Sequence, residues 1–298
     1  MINMNEQTLA ICEDIVSQNR AQELVKINDS AFEKVADIIK EELPQVKNFW
    51  GEVGFTAEFE TQEDRETYTI LYELIGCAIN YNYWFGCPEV RPCNASSTKM
   101  SELLLEAFNE ADDLSNLQQI LNLLNLKLNE NRFPNLRNRI DHLREIAGAN
   151  NMNAKFCEFV KTNSIEKSMY WLTQLYPGFS EDMFLKRANL FFGMLHRRLG
   201  YFKDEVDKLI VPADYHIPNV LRHYGCLKYH FDLDKAISRR ELIPENSIEE
   251  CAIRASTILA CKKISELAGC TMTDVDTVLF LKRNEPQTPF HLTITTNY

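Results

Sequence analysis

The sequence predicts a mainly α-helical protein with room for one small β-sheet. Apolar residues recur three and four positions apart in segment after segment, which is the pattern of helices that bury one face. The 298 residues include only 10 glycines and 10 prolines, which is sparse for a sandwich or barrel with many turns. A composition of 45% hydrophobic and 25% charged residues is that of an ordinary globular protein, so disorder of the whole chain is excluded.

The first predicted helix follows Ser30, and we expect Pro44 to end it. Its apolar positions lie on one face, and the same spacing recurs along the chain. The further helical segments predicted in this way are 71–79, 100–108, 117–126 and 169–176.

Helix ends are marked most clearly in the last third of the chain. Ser247 with Glu250, and Thr273 with Asp276, have the spacing of capping boxes, in which the hydroxyl accepts a backbone N–H at the helix start. Gly269 lies where the helix that begins at Ser247 should end.

The chain contains neither an internal repeat nor a linker, so we expect one helical domain over residues 1–298. It could have two lobes, at about residues 20–160 and 161–298. The Asn-rich stretch 122–138 keeps a helical spacing and predicts a solvent-facing pair of amphipathic helices. The best candidates for strands are Gly51–Glu60 and the tail Phe290–Thr296.

Charge and cysteine content exclude several classes of protein. A net charge of −11 argues against a protein that holds nucleic acid by its phosphate backbone, so we expect no stable nucleic-acid binding. The N-terminus lacks the features of a signal peptide and no stretch approaches 18 apolar residues, which predicts a cytoplasmic protein without a membrane segment. The nine cysteines form no Cys-x-x-Cys pair, so we expect buried free thiols and no metal site. The oligomeric state is left open.

The general catalytic motifs, such as the P-loop and GxSxG, are absent. One unusual stretch, here called the aromatic segment, is Asn80–Gly86, with four aromatic residues and two carboxamides in seven positions. Aromatic clusters usually pack in a core, but buried amides also need hydrogen-bond partners. Ring faces next to amides are what a flat heterocyclic ligand requires, so the segment could form a ligand-binding wall.

The second unusual stretch is Pro212–Gly225, in which Asp214 directly precedes a predicted helix. The ordinary interpretation is that Asp214 caps this helix. A carboxylate held rigidly at a helix start can also orient a water molecule and face the positive charge that develops when a glycosidic bond breaks. The two interpretations are compatible, because a capping carboxylate can direct its second oxygen to a ligand.

Several motifs together resemble the queuosine salvage family, whose members are queuosine 5′-phosphate N-glycosylases that release queuine. Together they cover about residues 20–298, and their fixed order makes them more specific than any single motif. In chain order the matches are Asn80-Tyr-x-Tyr-Trp84, Lys186-Arg-Ala188, Ala213-Asp-Tyr-His-Ile-Pro218, Ile253-Arg254, Asp276-x-x-Leu279 and Pro289-Phe-His291 followed by Tyr298.

The resemblance implies a helical fold akin to the helix-hairpin-helix DNA glycosylases, in which a lysine and an aspartate form the catalytic pair. Asp214 would then be the catalytic carboxylate. Lys186, 28 positions earlier, would contact the sugar or phosphate of a nucleotide substrate. The reaction would need no metal and no organic cofactor. Its product queuine would serve tRNA modification.

The resemblance also implies a substrate-binding set. Asp276 would accept hydrogen bonds from the deazaguanine base or its cyclopentenediol arm, unless it is only the acidic member of the Thr273 capping box. Arg254 is expected to pair with an acidic neighbour inside the protein. The base pocket would be lined by Asn80, Tyr81, Tyr83 and Trp84, with Tyr215, Arg187 and His291 as further candidates.

Two departures from the family pattern bear on the substrate. The chain has Gly86–Asn94 where the family has a segment with Tyr, Gly and Trp, and the role of residues 86–98 is left open. His216 occupies a position that is usually Arg. Two alternative functions therefore remain: a DNA or RNA base glycosylase of the helix-hairpin-helix class, and a non-catalytic protein that binds a modified base.

Overall fold

The computed structural model describes residues 3–46, 49, 61–84 and 95–298. Across these residues the chain is mainly helical, as predicted, with fourteen α-helices and a single two-stranded sheet. The first seven helices are α1 (Met4–Ser17), α2 (Asn19–Leu24), α3 (Phe32–Val46), α4 (Gln62–Ala78), α5 (Ser97–Glu110), α6 (Leu117–Glu130) and α7 (Leu136–Gly148). The second seven are α8 (Asn151–Thr162), α9 (Ile165–Leu175), α10 (Lys186–Leu199), α11 (His216–His223), α12 (Phe231–Ser238), α13 (Ile248–Ala268) and α14 (Met272–Leu281).

The sheet joins distant parts of the chain. Strand β1 (Val25–Ile27) pairs antiparallel with β2 (Leu227–Tyr229), with Lys26 opposite Lys228. Three-residue strands are too short to leave an alternating pattern, which explains why the sequence did not predict them. The expected strand at Phe290–Thr296 is wrong, since in the described chain this tail forms only the isolated bridge of Leu292 with Leu242. The other candidate, Gly51–Glu60, lies outside the described residues.

Two expectations about helix ends are wrong. Pro44 does not end α3, which continues to Val46, because a proline near the end of a helix removes a single backbone hydrogen bond. The capping box of α14 is formed by Thr271 and Asp274, rather than by Thr273 and Asp276. The sequence from Thr271 to Asp276 contains both registers, and the structure uses the earlier one. Asp276 therefore lies inside α14 and does not cap this helix.

The predicted ends of α13 are largely confirmed. Gly269 adopts a left-handed conformation with φ of 69° directly after the helix. At the other end Ser247 accepts the backbone N–H of Glu250, whereas the Glu250 carboxylate accepts the N–H of Asn246. Half of the predicted capping box is thus formed at the start of this 21-residue helix.

Two hydrophobic clusters form the interior. The first lies within residues 70–209, and the second combines residues 12–39 with Phe184 and residues 210–279. The chain passes from the second cluster to the first between Phe184 and Leu185, and returns between Leu209 and Ile210. The start of α10 therefore lies where the two clusters meet, and the loop before α11 enters the second cluster a few residues after the return.

Other features of the described residues agree with the sequence. Helices α6 and α7 are the amphipathic pair predicted for the Asn-rich stretch. All seven described cysteines are free thiols, and six of them are buried. Within the described ranges, we find no helix that is both apolar and long enough to cross a membrane.

Candidate active site

Lys186 is the first residue of α10 and its side chain is buried, with 4% exposure. Its Nζ donates to the carbonyl oxygen of Asn80 at 2.9 Å and lies 3.4 Å from Asn80 Oδ1. Burial lowers the pKa of Lys186, and the nearby charge of Asp214 opposes this shift. The ammonium is therefore bonded to the aromatic segment and lies close enough to the predicted catalytic carboxylate for the two charges to interact.

Asp214 lies in the loop that leads into α11. Its Oδ1 accepts the backbone N–H groups of His216 at 2.6 Å and Ile217 at 3.3 Å, so its carboxylate caps the first turn of α11, although Tyr215 and not Asp214 occupies the N-cap position. Among the described residues, no hydrogen bond reaches the second carboxylate oxygen of Asp214. A carboxylate that is fixed through one oxygen and open at the other can act on a ligand while it keeps its orientation.

Asp276 is a buried carboxyl group inside α14, with 6% exposure. Burial raises its pKa to about 7; the charge of Asp214 acts in the same direction, while Arg197 and Lys186 oppose it. Arg197 Nη2 lies 3.9 Å from Asp276 Oδ2 and bonds to Thr277 Oγ1 at 2.6 Å. Near neutral pH this carboxyl can therefore donate or accept a hydrogen bond.

The three ionisable groups form one electrostatic unit. Lys186 comes from α10, Asp214 from the loop before α11 and Asp276 from α14, yet Asp214 influences the pKa of both other groups. Residues 28 to 90 positions apart are thus brought together where the two hydrophobic clusters meet. Groups whose pKa values are shifted by burial and by specific neighbours are typical of active sites.

The aromatic segment leaves α4 as an irregular buried loop, of which residues 80–84 are described. Tyr81 Oη lies 3.1 Å from His142 Nδ1, and Tyr83 Oη donates to Asn80 Oδ1 at 3.3 Å. The guanidinium of Arg139 lies 4.5 Å from the centre of the Tyr81 ring and 5.1 Å from that of Tyr83. The Arg139 guanidinium therefore packs against both rings.

Arg139 also explains how this loop can be buried. Its guanidinium donates to the carbonyl groups of Ile79, Tyr81 and Asn82, and thereby satisfies backbone groups that have no helix or sheet partner. No sequence pattern predicted this role. The available signal was an arginine on the buried helix face that also carries His142, Leu143 and Ile146.

Trp84 and Tyr215 lie together in a separate small cluster with Leu292 and Tyr298. The ring of Tyr215 stacks on Phe290, with ring centres 4.5 Å apart. Since Tyr215 follows Asp214 directly, this cluster brings Trp84 into the same region as the segment that carries the candidate carboxylate.

Two polar side chains of the aromatic segment are buried without partners in the described part of the chain. They are the indole Nε1 of Trp84 and both amide atoms of Asn82. Leaving a buried donor or acceptor unpaired costs about 1–3 kcal/mol, which makes these atoms candidates for hydrogen bonds to a ligand. Asn82 also has a positive φ of 35°, a conformation that asparagine tolerates better than most residues.

Arg187 and His291 have partners inside the protein. The buried guanidinium of Arg187 donates to the carbonyl oxygen of Ala78 at 2.5 Å and also to that of Gly178. His291 Nε2 lies 3.1 Å from Tyr298 Oη, and burial lowers the pKa of His291 to about 3, so the ring is neutral. A direct contact of either residue with substrate stays a prediction.

The comparison with known proteins decides the family. The family described as queuosine salvage protein matches residues 48–282, which include the lysine, both aspartates and the aromatic segment. The chain belongs to this family. His291 lies beyond the matched range.

Three relatives of this family member carry the name queuosine 5′-phosphate N-glycosylase/hydrolase. The protein from Dictyostelium discoideum is 24% identical over 268 residues, which span 81% of each chain. The protein from Sphaerobacter thermophilus is 35% identical over 106 residues, 31% of this chain and 32% of the relative. The protein from Schizosaccharomyces pombe is 35% identical over 75 residues, 25% of this chain and 21% of the relative. Two of the three matches therefore span less than a third of the relative's length.

Candidate metal ligands do not cluster in the described residues. Within them we find no group of three or more His, Cys, Asp or Glu side chains arranged to hold a metal ion. Cys87 and Cys93, and most of the divergent segment 86–98, lie outside the described residues.

Proposed function

We propose that the protein hydrolyses the N-glycosidic bond of queuosine 5′-monophosphate, and so releases queuine and ribose 5-phosphate for queuine salvage into tRNA modification. The observation that carries the proposal is the coupled pair of Lys186 and Asp214 next to the aromatic segment, in a member of the queuosine salvage family. The names of the three relatives support the same activity.

Asp214 acts on the sugar in the proposed reaction. The oxygen that has no hydrogen bond faces the anomeric carbon, orients a water molecule and receives its proton. The negative charge stabilises the oxocarbenium-like transition state that forms as the bond to the base breaks. Because Oδ1 is held by two backbone N–H groups, the carboxylate does not have to reorganise during the reaction.

Lys186 supplies a buried positive charge close to Asp214. Its ammonium contacts the sugar or the 5′-phosphate, in addition to the carbonyl group of Asn80. Hydrolysis by water requires no covalent bond to the lysine, so the role is electrostatic. The reaction as proposed uses water and fixed charges, and requires neither metal nor organic cofactor.

The base is held by the aromatic segment and by Asp276. Tyr81, Tyr83, Trp84 and Tyr215 supply ring faces, while the amide of Asn80 supplies hydrogen bonds at the edge. Asp276 binds the amino groups of the deazaguanine base or its cyclopentenediol arm. Arg187 and His291 are proposed as contacts at the edge of the same site.

The closest competing function is cleavage of a base from a DNA or RNA strand, which requires flipping the base out of the stack. The net charge of −11 favours a free nucleotide over a polyanion. A non-catalytic protein that binds a modified base is the other alternative. The presence of both Lys186 and Asp214 favours an enzyme.

A chromatographic assay tests the proposal. The purified protein is incubated with queuosine 5′-monophosphate, queuosine or guanosine 5′-monophosphate, beside an Asp214→Asn control. We expect queuine only from the first substrate and only with the wild-type protein. Intact substrates in every reaction would contradict the proposed function, whereas release from an oligonucleotide with retention on duplex DNA would support the strand-acting alternative.

A further inference from the structure

A buried ion pair adjoins the candidate site and has no role in the chemistry proposed above. Arg254, on α13, is 1% exposed, and its guanidinium lies between the rings of Phe184 and Tyr298, 4.5 and 4.3 Å from their centres. Its Nη1 and Nη2 bond to the two carboxylate oxygens of Asp182 at 2.9 and 2.7 Å. This is the two-point geometry in which arginine binds a carboxylate most strongly.

Asp182 uses the same two oxygens to fix the start of α10. Its Oδ1 accepts the backbone N–H of Phe184 at 3.1 Å, and its Oδ2 accepts that of Lys186 at 2.9 Å. Between them Leu185 has a positive φ of 51°, which is rare for a bulky side chain and must be imposed by its surroundings. Asp182 therefore holds the strained turn from which the Lys186 side chain projects.

The third nitrogen of Arg254 reaches the other catalytic segment. Nε donates to the carbonyl oxygen of Ala213 at 3.0 Å, and Ala213 directly precedes Asp214. A single planar guanidinium is thus bonded to the turn before Lys186 and to the residue before Asp214. Phe184 in this turn and Ala213 both lie in the second hydrophobic cluster, whereas Leu185 lies in the first, so the turn before Lys186 crosses the boundary between the clusters.

We propose that Arg254, together with Asp182, is a positioning residue that sets the separation of the Lys186 ammonium from the Asp214 carboxylate. The inference rests on the proposed function, because it assigns a role in the same reaction. Arginine suits this role since its donors form a rigid fork, whereas lysine has a single ammonium on a flexible stem. A displacement of about 1 Å at a reacting group can lower the rate about 100-fold, so loss of the contacts of Arg254 should lower kcat.

A purely structural ion pair is the alternative, and the pKa of Lys186 distinguishes the two. Asp214 and Asp182 raise this pKa, while burial and the neighbouring Arg187 lower it. Cys77, from α4, also faces the ammonium, and Lys186 in turn influences the pKa of Asp276 on α14. If Asp214 moves away from Lys186, the pKa of the ammonium falls; a loss of stability alone would leave it unchanged.

The test compares Arg254→Lys with Arg198→Lys. Arg198, on α10, forms an ion pair with Glu73 on α4 that is largely buried, with side-chain exposures of 10% and 6%. The control therefore makes the same chemical change in a pair that bonds neither to Asp182 nor to Ala213. For Arg254→Lys we expect kcat on queuosine 5′-monophosphate to fall about 10- to 100-fold, with KM within about threefold. The alkaline limb of the pH–kcat profile should also move to lower pH. Arg198→Lys should lower the melting temperature and leave kcat and the profile unchanged.

A second variant covers the case in which Arg254→Lys does not fold. Asp182→Asn keeps one oxygen, and so loses one of the two bonds to Arg254 and one of the two backbone N–H bonds. Because the charge of Asp182 itself raises the pKa of Lys186, only kcat is compared for this variant, and we expect it to fall about 10-fold. A wild-type kcat and profile in a folded variant would overturn the proposal. Failure of both variants to fold would also overturn it, in favour of a purely structural pair.

A measurement without substrate separates this proposal from the proposed function. The pKa of Lys186 is followed by NMR of ¹³C-labelled lysine, with Lys186→Arg to assign the signal. Arg254→Lys should lower this pKa relative to wild type and to Arg198→Lys, even if queuosine 5′-monophosphate proves not to be the substrate. An unchanged pKa would contradict the positioning role, while inactivity of the wild-type protein alone would contradict only the proposed function.

Discussion

The Asp214→Asn substitution separates the two roles that the structure gives to one carboxylate. The remaining oxygen of asparagine can still accept the N–H groups of His216 and Ile217. Asparagine and aspartate are about equally good at a helix start, so we expect the free energy of unfolding to change by less than about 1 kcal/mol. The other carboxylate oxygen becomes an NH₂ group, which can neither accept a proton from water nor offset positive charge.

The size of the effect follows from the lost charge. Two unit charges about 4 Å apart interact by about 4 kcal/mol at an effective dielectric constant of about 20. Since about 1.4 kcal/mol corresponds to a factor of ten in rate, kcat should fall about 1,000-fold. Loss of the Asp214 charge should also lower the pKa of Asp276, because that charge helps to raise it.

The assay is queuine release from queuosine 5′-monophosphate at saturating substrate, with melting temperatures measured in parallel. Asp214→Glu is a useful companion, because it keeps the charge and displaces it by one methylene group. A folded Asp214→Asn protein that keeps more than a tenth of the wild-type kcat would refute the reasoning. A large loss of stability would instead mean that the cap depends on the charge.

Three further predictions concern the buried ionisable groups. Lys186→Met should lower kcat at least 100-fold, while the melting temperature stays equal or rises. An ammonium whose burial costs free energy is replaced by an apolar side chain of similar size. A lower melting temperature in thermal unfolding would contradict this prediction. Burial raises the pKa of Asp276 from 3.8 to about 7, so its contribution to stability is full below pH 3.8 and is lost as the pH rises through 7. In denaturant titrations, the free energy of unfolding should therefore fall less between pH 5 and pH 8 for Asp276→Asn than for the wild type. An equal fall in the two proteins would contradict this prediction. Burial lowers the pKa of His291 from 6.5 to about 3, so on acidification the unfolded chain binds the proton before the folded protein does, and stability falls as the pH drops from 6.5 towards 3. His291→Gln should therefore lose less stability than the wild type between pH 7 and pH 4.5. An equal loss would show that His291 is not buried in its neutral form.

The helical class and most helix positions could be predicted from the sequence because buried faces leave a periodic pattern over many residues. The small sheet could not, since its strands have three residues each and lie some 200 positions apart in the chain. The choice between the two capping registers before Asp276 depends on where α14 packs, which local sequence does not contain.

In the candidate site, too, the local sequence predicted some features, while others depend on contacts between distant segments. Asp214 and Lys186 were identified because they lie in short motifs, and the capping role of Asp214 followed from its place before a helix. The roles of Arg139 and Arg254 depend on carbonyl groups from distant segments, so no local pattern predicts which groups they bind. For Arg254 the sequence indicated only that it would pair inside the protein, which the bond to Asp182 confirms.

The most direct test of the account is a crystal structure of the Asp214→Asn protein with queuosine 5′-monophosphate. We expect the anomeric carbon of the nucleotide to lie opposite the side chain of residue 214, with the Lys186 ammonium at the sugar or phosphate. We also expect the base to lie against the aromatic segment, with its polar edge at Asp276. A nucleotide bound elsewhere on the protein, or bound with its glycosidic bond directed away from residue 214, would contradict the central claim.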